Sequence, residues 1–227
     1  MIDSIKNYVI SKAKKSEWLL NFIAAIYNSA TSVTLKGKKL NEISYKGTFL
    51  KKTSIKIKGV NNSIQIAPKD SLINCMIYIN GNNCKIRVEK NCTLKNVQFW
   101  IEDDGGEIII NNKTTMEGGH IAATEGESII IGTDCMFSNK IEIRSGDSHS
   151  IYQTDSTHRI NPAKGVRIGN HVWLGADVKV LKGSVIQDGS IIGTGSIVTG
   201  IVKANSIYAG NPAKLIKEDI NWQRDRK

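Results

Sequence analysis

The sequence predicts an all-β fold: a left-handed parallel β-helix of stacked three-sided coils, with a helix at each end. Three observations predict it. Aliphatic residues recur at every sixth position over much of the chain. The stretches between them are rich in Gly, Asn and Asp. Aromatics make up only 6% of the 227 residues and prolines number three, so the core must be assembled from small aliphatic side chains.

The spacing is strictest in the second half. Ile168, Leu174, Val180, Ile186, Ile192 and Val198 lie six apart without slippage, and Gly169, Gly175 and Gly193 follow three of them. Upstream the grid recurs as Ile131, Phe137 and Ile143, as Ile110, Met116 and Ala122, as Val88, Leu94 and Trp100, and as Ile66, Leu72 and Tyr78. Successive groups are offset by 21 or 22 residues rather than 18, so each coil carries extra residues at a corner. Three hexapeptides close one triangular coil. One aliphatic of each points inward and stacks on its equivalent in the next coil, because a single coil cannot bury its own apolar face. Gly, Asn and Asp suit the corners, where the backbone often needs positive φ. About six or seven coils are expected between residues 35 and 210, in a domain spanning 31–211.

The two ends read differently. Residues 3–28 read as helix, with Trp18, Phe22 and Ile26 at helical spacing and Leu19 and Ile23 beside them. Residues 1–30 are therefore expected to form a helical segment packed on the prism or on another subunit. The largely apolar segment 18–27 is only ten residues, too short to span a bilayer, and it lacks a cleavage-like context, so no signal peptide is expected. Residues 212–227 are expected to form a capping helix.

Charge is unevenly placed. The net charge is +10, and residues 1–69 hold 13 lysines against three acids, Asp3, Glu17 and Glu42. This region is either a solvated face or a lure for an anionic partner, namely an acidic polysaccharide or a membrane surface touched peripherally. No recognition-helix signature, zinc-finger spacing or aromatic-plus-basic pattern points to nucleic acid. Cys75, Cys84, Cys92 and Cys135 form no CxxC pair and no cluster with histidine. They are expected as reduced core residues of a cytoplasmic protein.

The grid breaks once. Ile143 and Ile168 are 25 residues apart, and the polar interval 145–165 contains two of the four histidines. A loop thrown out of a rigid solenoid is where chemistry is expected. Asp147 and His149 point the same way if the segment is extended. Glu142 and Arg144 flank inward Ile143 and should face outward near the same corner. Trp173 precedes inward Leu174, and an exposed tryptophan there asks for a ligand or a neighbouring subunit.

Asp147-Ser-His149, then Val166-Arg-Ile-Gly-Asn-His-Val-Trp-Leu-Gly175, Ile192-Gly-Thr-Gly-Ser-Ile-Val-Thr199 and Ala209-Gly-Asn-Pro-Ala-Lys214 together cover about 65 residues. This ordered set resembles the hexapeptide-repeat acyltransferases. The wider string Glu142-Ile-Arg144, Asp147, His149, Ile151-Tyr152, Arg159-Ile-Asn161 looks most like bacterial capsule O-acetyltransferases, including those acting on sialic-acid polymers. The resemblance implies an O-acetyltransferase that uses acetyl-CoA, needs no metal, and modifies a sugar hydroxyl of a surface polysaccharide. It gives His149 the role of general base, for which a near-neutral pKa suits an imidazole. Asp147 either orients that imidazole or caps a turn. Trp173 would line the acetyl-CoA cleft, with Gly175, Ala176 and Thr194 along the pantetheine arm, Thr199 near the nucleotide, and Lys214 and Lys217 at the phosphates. Glu142, Arg144 and Tyr152 are candidates for the acceptor. Many relatives carry a basic residue directly after the position of Thr199. Here it is Gly200, and Lys203 is the nearest substitute. The resemblance also implies a homotrimer with active sites between adjacent prisms. His171, near a corner, reads as structural.

Three competing readings remain at this level. A small sugar or amino sugar could be the acceptor on the same fold. A metal-dependent hydratase would need three converging histidines, whereas His120, His149, His158 and His171 show no close ligand pair in the sequence. A non-catalytic solenoid would need neither the loop nor Trp173.

Overall fold

The computed structural model describes residues 16–225. They form a parallel β-helix of about eight turns, whose three faces are sheets of eight, eight and nine strands. The first face runs from Thr34–Lys36 through Ser54–Lys58, Met76–Asn80, Val97–Glu102, Gly119–Thr124 and Ile141–Arg144 to Lys179–Val180 and Ile197–Val198. The second runs from Glu42–Ser44 to Ile201–Val202, and the third from Phe49–Lys51 to Ile207–Ala209 with one further strand. Each strand pairs in parallel with the one a turn later, so equivalent side chains stack along the axis. On the first face Ile55, Ile77, Phe99, Ile121, Ile143, Val180 and Val198 form one such inward column, and all are buried. Burying one such side chain fully stabilises the fold by about 1.5–3 kcal/mol, so a column of seven is a principal source of stability.

The grid holds on the second and third faces. Ile66, Val88, Ile110 and Ile131 are buried on one, and Leu72, Leu94, Met116 and Phe137 on the other. On the first face it slips by one residue in the early coils. Tyr78 and Trp100 point outward, between inward Ile77 and Ile79 and between inward Phe99 and Ile101. Ala122 shares their register. The cause is strand length: Met76–Asn80 has five residues and Val97–Glu102 six. The first buries two side chains and the second three, and a count of six lands on an outward residue between two inward ones.

The corners are built as expected for positive φ. Asn74 and Asn96 adopt φ of 54° and 53°, and Asn74 Nδ2 donates to Asn96 Oδ1 at 2.8 Å. The four cysteines are free and buried, and burial pushes the Cys92 thiol up to about 12 and that of Cys75 up to about 11.

The N-terminal end is covered by helix α1 (Glu17–Ala30), whose N-cap Ser16 accepts from Leu19 N–H. Its inward side is Leu20, Ala24 and Asn28. Leu20 and Ala24 pack on Phe49, and Asn28 donates to Thr48 O at 3.1 Å and accepts from Leu50 N at 2.8 Å. Asn28 thus satisfies backbone groups at the open end of the prism. Trp18, Phe22 and Ile26 lie exposed, with the first two rings stacked at 5.6 Å. The expected helical residues before Ser16 lie outside the described residues.

The expected C-terminal helix over 212–227 is not formed among the described residues. Lys214–Lys217 is a strand, antiparallel to Ile207–Ala209, and the chain then crosses the third face without helical structure as far as Asp225. The exposed edge of the last coil offers unpaired backbone groups, and a strand satisfies them where a helix would not.

Candidate active site

Loop 145–165 leaves the prism at the corner between the first and second faces, after Ile141–Arg144 and before Val166–Ile168. Lys164 N–H donates to Ser145 O at 2.8 Å and closes its base. Asn161 is the hub of the loop. Its Nδ2 donates to Asp147 Oδ2 at 2.9 Å and to His149 O at 2.8 Å, and its Oδ1 accepts from Ile151 N at 2.6 Å. Lys182, on the prism, donates to Asp147 Oδ2, Asn161 O and Pro162 O. Arg159 makes a two-pronged ion pair with Glu125 of the preceding coil, which also accepts from Ala163 N. Lys182 and Asn161 hold the Asp147 carboxyl below its ordinary value, and Arg159 does the same for Glu125. Both carboxylates therefore stay ionised and bound at neutral pH.

These bonds divide the labour within the loop. Asp147 accepts from Lys182 and Asn161, which braces the loop, and it makes no hydrogen bond to the His149 ring among the described residues. His149 itself is exposed. Its backbone carbonyl is fixed, while its imidazole has no hydrogen-bond partner among the described residues. A histidine pinned by its backbone with an open ring is suited to receiving a proton from a bound ligand. Tyr152 pairs with Arg159 in a short antiparallel bridge and is exposed.

Arg144 and Glu142 flank buried Ile143 and face outward as expected, and they pair with each other at 3.2 Å. Beside them a groove of about 300 Å³ follows the first face, lined by Trp100, His120, Ala122 and Arg144 and reaching Gly146 and Ser148 of the loop. Burial, and then the Arg144 charge, lower the His120 pKa, so its ring is neutral at pH 7.

The remaining candidates lie on the third face and its end. Trp173 is 37% exposed and precedes buried Leu174. A Cβ on Gly175 would stand 2.8 Å from Thr194 N, so only glycine lets the next coil close there. Gly195 N–H donates to Ala176 O at 2.8 Å, which stacks the corners of Ala176 and Thr194. Thr199 is exposed beside Gly200, where an added Cβ would meet open space. Lys214 and Lys217 are exposed on the last strand, and neither forms an ion pair among the described residues. Lys203, the substitute expected for the missing base at Gly200, is instead bound to Glu218 at 2.7 Å.

Several roles that build the site are not apparent in the sequence pattern. Arg159 and Asn161 stand in the string of resemblance without a role, Lys182 and Glu125 stand outside it, and all four act through contacts far apart in sequence. The tail adds Trp222, which stacks on His171 at 3.9 Å and lies 6.0 Å from Trp173. His171 also bonds Asp134 and Trp222 O, consistent with the structural reading. Arg224 ties the tail down through Asp134, Thr115, Lys113 O and Cys135 O. A lone tryptophan in a polar tail was the only available signal.

Within one chain, His149 and Trp173 are not brought together. The loop leaves between the first and second faces, whereas Trp173 opens a strand of the third.

A three-sided prism with hexapeptide repeats, one braced histidine loop and an exposed tryptophan defines an acyltransferase of the hexapeptide class. Residues 165–200 match the bacterial transferase hexapeptide (six repeats) family. The chain is 40% identical over 191 residues to a polysialic acid O-acetyltransferase of Neisseria meningitidis, covering 73% of this chain and 87% of that protein. The crystal structure of the polysialic acid O-acetyltransferase OatWY superposes with a TM-score of 0.82 at 33% identity, over 86% of this chain and 93% of that one. That of the polySia-specific acetyltransferase NeuO gives 0.76 at 30% identity, over 88% and 91%. The chain belongs to the hexapeptide-repeat acyltransferase family, and it is an enzyme of that class.

Proposed function

We propose that the chain transfers acetyl from acetyl-CoA to a hydroxyl of an acidic capsular polysaccharide of the sialic-acid type, with His149 as general base. The observation that carries this is the open imidazole of His149, held by its backbone on a braced loop at the mouth of a groove lined by aromatic and basic residues. The similarity to polysialic acid O-acetyltransferases supports the acceptor class.

In this reading His149 takes the acceptor hydroxyl's proton as its oxygen bonds to the thioester carbonyl carbon. The C–S bond then breaks, and the proton passes from His149 to the departing sulfur. On the donor side Trp173, Gly175, Ala176 and Thr194 would hold the pantetheine arm and Thr199 the nucleotide end. Lys214 and Lys217, free of ion pairs among the described residues, would meet the phosphates. The open space at Gly195 and Gly200 fits a bound chain along this edge. Because His149 and Trp173 leave from different faces, the reading places each reaction between two copies of a homotrimer. The enzyme acts in the cytoplasm in this account, in keeping with four buried free thiols. Trp18, Phe22 and Ile26, exposed on α1, would make any peripheral contact with a membrane surface.

The test is acetyl transfer from acetyl-CoA to a panel of de-O-acetylated sialic-acid polymers, neutral polysaccharides, small sugars and amino sugars, followed as free thiol. The account expects turnover with the acidic polymers, well above that with monosaccharides. Transfer confined to a small sugar or amino sugar would assign a different acceptor.

A further inference from the structure

The slip on the first face brings a row of outward side chains into line. It places Lys56, Tyr78, Trp100, Ala122 and Arg144 in direct register on five successive coils, all at outward positions. Adjacent strands lie about 4.8 Å apart, so the row spans about 19 Å along the prism axis. Its rungs touch. Tyr78 and Trp100 have ring centroids 4.3 Å apart, and Trp100 meets His120 edge-on at 6.3 Å. Lys56 and Lys58 hold their ammonium groups over the Tyr78 ring at 5.6 and 5.8 Å.

We propose that this row is a binding track for the acceptor polymer, leading a chain of several acidic sugars from the lysine-rich coils to the hydroxyl presented at His149. The proposal rests on the acceptor reading given above and adds where the rest of the polymer lies.

The chemistry matches an anionic polysaccharide. The flat rings of Tyr78 and Trp100 offer apolar faces to the C–H side of a pyranose, a packing that buries area at little entropic cost. Ala122, the one small side chain in the row, leaves room between Trp100 and Arg144, and it floors the groove of about 300 Å³ that ends at Gly146 and Ser148. Arg144 uses Nε for Glu142, and its two terminal nitrogens have no partner among the described residues, so they are free to fork onto a carboxylate. Lys56 and Lys58 supply positive charge at the far end. Glu102 also lines the groove, and Glu142 lies beside it. Trp100 Nε1 donates to the first at 3.4 Å and Arg144 neutralises the second. A second hollow of about 600 Å³ shares Gln98 and His120 with the first and widens the track sideways.

The experiment measures KM for sialic-acid oligomers of graded length, with acetyl-CoA saturating, in wild type, Trp100→Ala, Trp100→Phe and the double variant Lys56→Gln/Lys58→Gln. Trp100→Ala should raise KM about tenfold, the scale of a lost aromatic stack, and Trp100→Phe should recover most of it. The lysine double variant should lose affinity for long oligomers, with a penalty that shrinks as the oligomer shortens and as salt rises. Subunit mass by light scattering should match wild type throughout. If all variants keep wild-type KM at every length, the track is wrong while the acceptor class stands. If the lysine variant dissociates the assembly, the face is an interface between copies and the proposal fails. A wild type inactive on every acidic oligomer overturns the acceptor reading and the track with it.

Discussion

At position 70 a carboxylic acid occupies an inward corner whose equivalents on neighbouring coils are Thr48, Cys92, Thr114 and Cys135. The register follows from the backbone bonds Phe49 N to Asp70 O, Ser71 N to Cys92 O and Thr93 N to Thr114 O. Asp70 is fully buried. Its Oδ1 accepts from Cys92 N at 2.8 Å, and its Oδ2 has no side-chain partner among the described residues. Burial pushes its pKa up to about 8 against an ordinary 3.8. The sign follows: the folded state favours the protonated acid, so this contribution to stability is full below about pH 4 and is lost as pH rises towards about 8. Asp70→Asn keeps an acceptor for Cys92 N and removes the charge. Its melting temperature should therefore gain on wild type steadily between about pH 5 and about pH 8. Parallel melting curves for the two proteins across that range would mean that Asp70 does not titrate in the fold. The same scale shows what a sequence reveals of a site. His149 was visible because it interrupts a strict period. The part played by Asn161 was not, although the residue stands in the string of resemblance, since its three loop contacts reach back 10 to 14 residues to partners that share no period with it.

At the scale of the element, the loop is a device for holding one backbone carbonyl still. Asn161 is a positioning residue: it touches His149 only at the main chain and acts on the imidazole through it. Asn161→Ala should lower kcat by about 10- to 100-fold, the cost expected for a base misplaced by an ångström or so. The shape of the pH profile of kcat should match wild type. Wild-type kcat in this variant, or a displaced pH profile, would assign the base or its bracing elsewhere. The strands show the same mixture of legible and hidden. On the second face the period of six lands on the last inward residue of each strand, such as Ile66 after Ile64 and Ile131 after Ile129, and on the third it lands on inward Leu72, Leu94, Met116 and Phe137. The first face departs from it because strands of five and six residues alternate two inward positions around one outward position. The C-terminal segment was misread as a helix because its local pattern carries no trace of the open sheet edge that it completes.

At the scale of the molecule, the prism is a rigid frame with three separately addressed surfaces. α1 closes one end and leaves an apolar stripe exposed, the first face carries the basic and aromatic row, and the third face carries Trp173 under a tail anchored by Trp222 and Arg224. The solenoid, a helix before it and the position of the loop could all be read from the sequence. The separation of His149 and Trp173 could not, because it depends on which corner the loop leaves. The central claim is that His149 of one copy completes the site around Trp173 of another. It is tested most directly by acetyl transfer in trimers co-assembled from His149→Ala and Trp173→Ala chains, with each variant alone as the baseline. Each alone should be at least about 100-fold slower than wild type. The mixture should recover about a quarter of wild-type activity, the share of subunit junctions that pair an intact His149 with an intact Trp173 in a cyclic trimer. A mixture no faster than its parents, or a His149→Ala enzyme as fast as wild type, would contradict it.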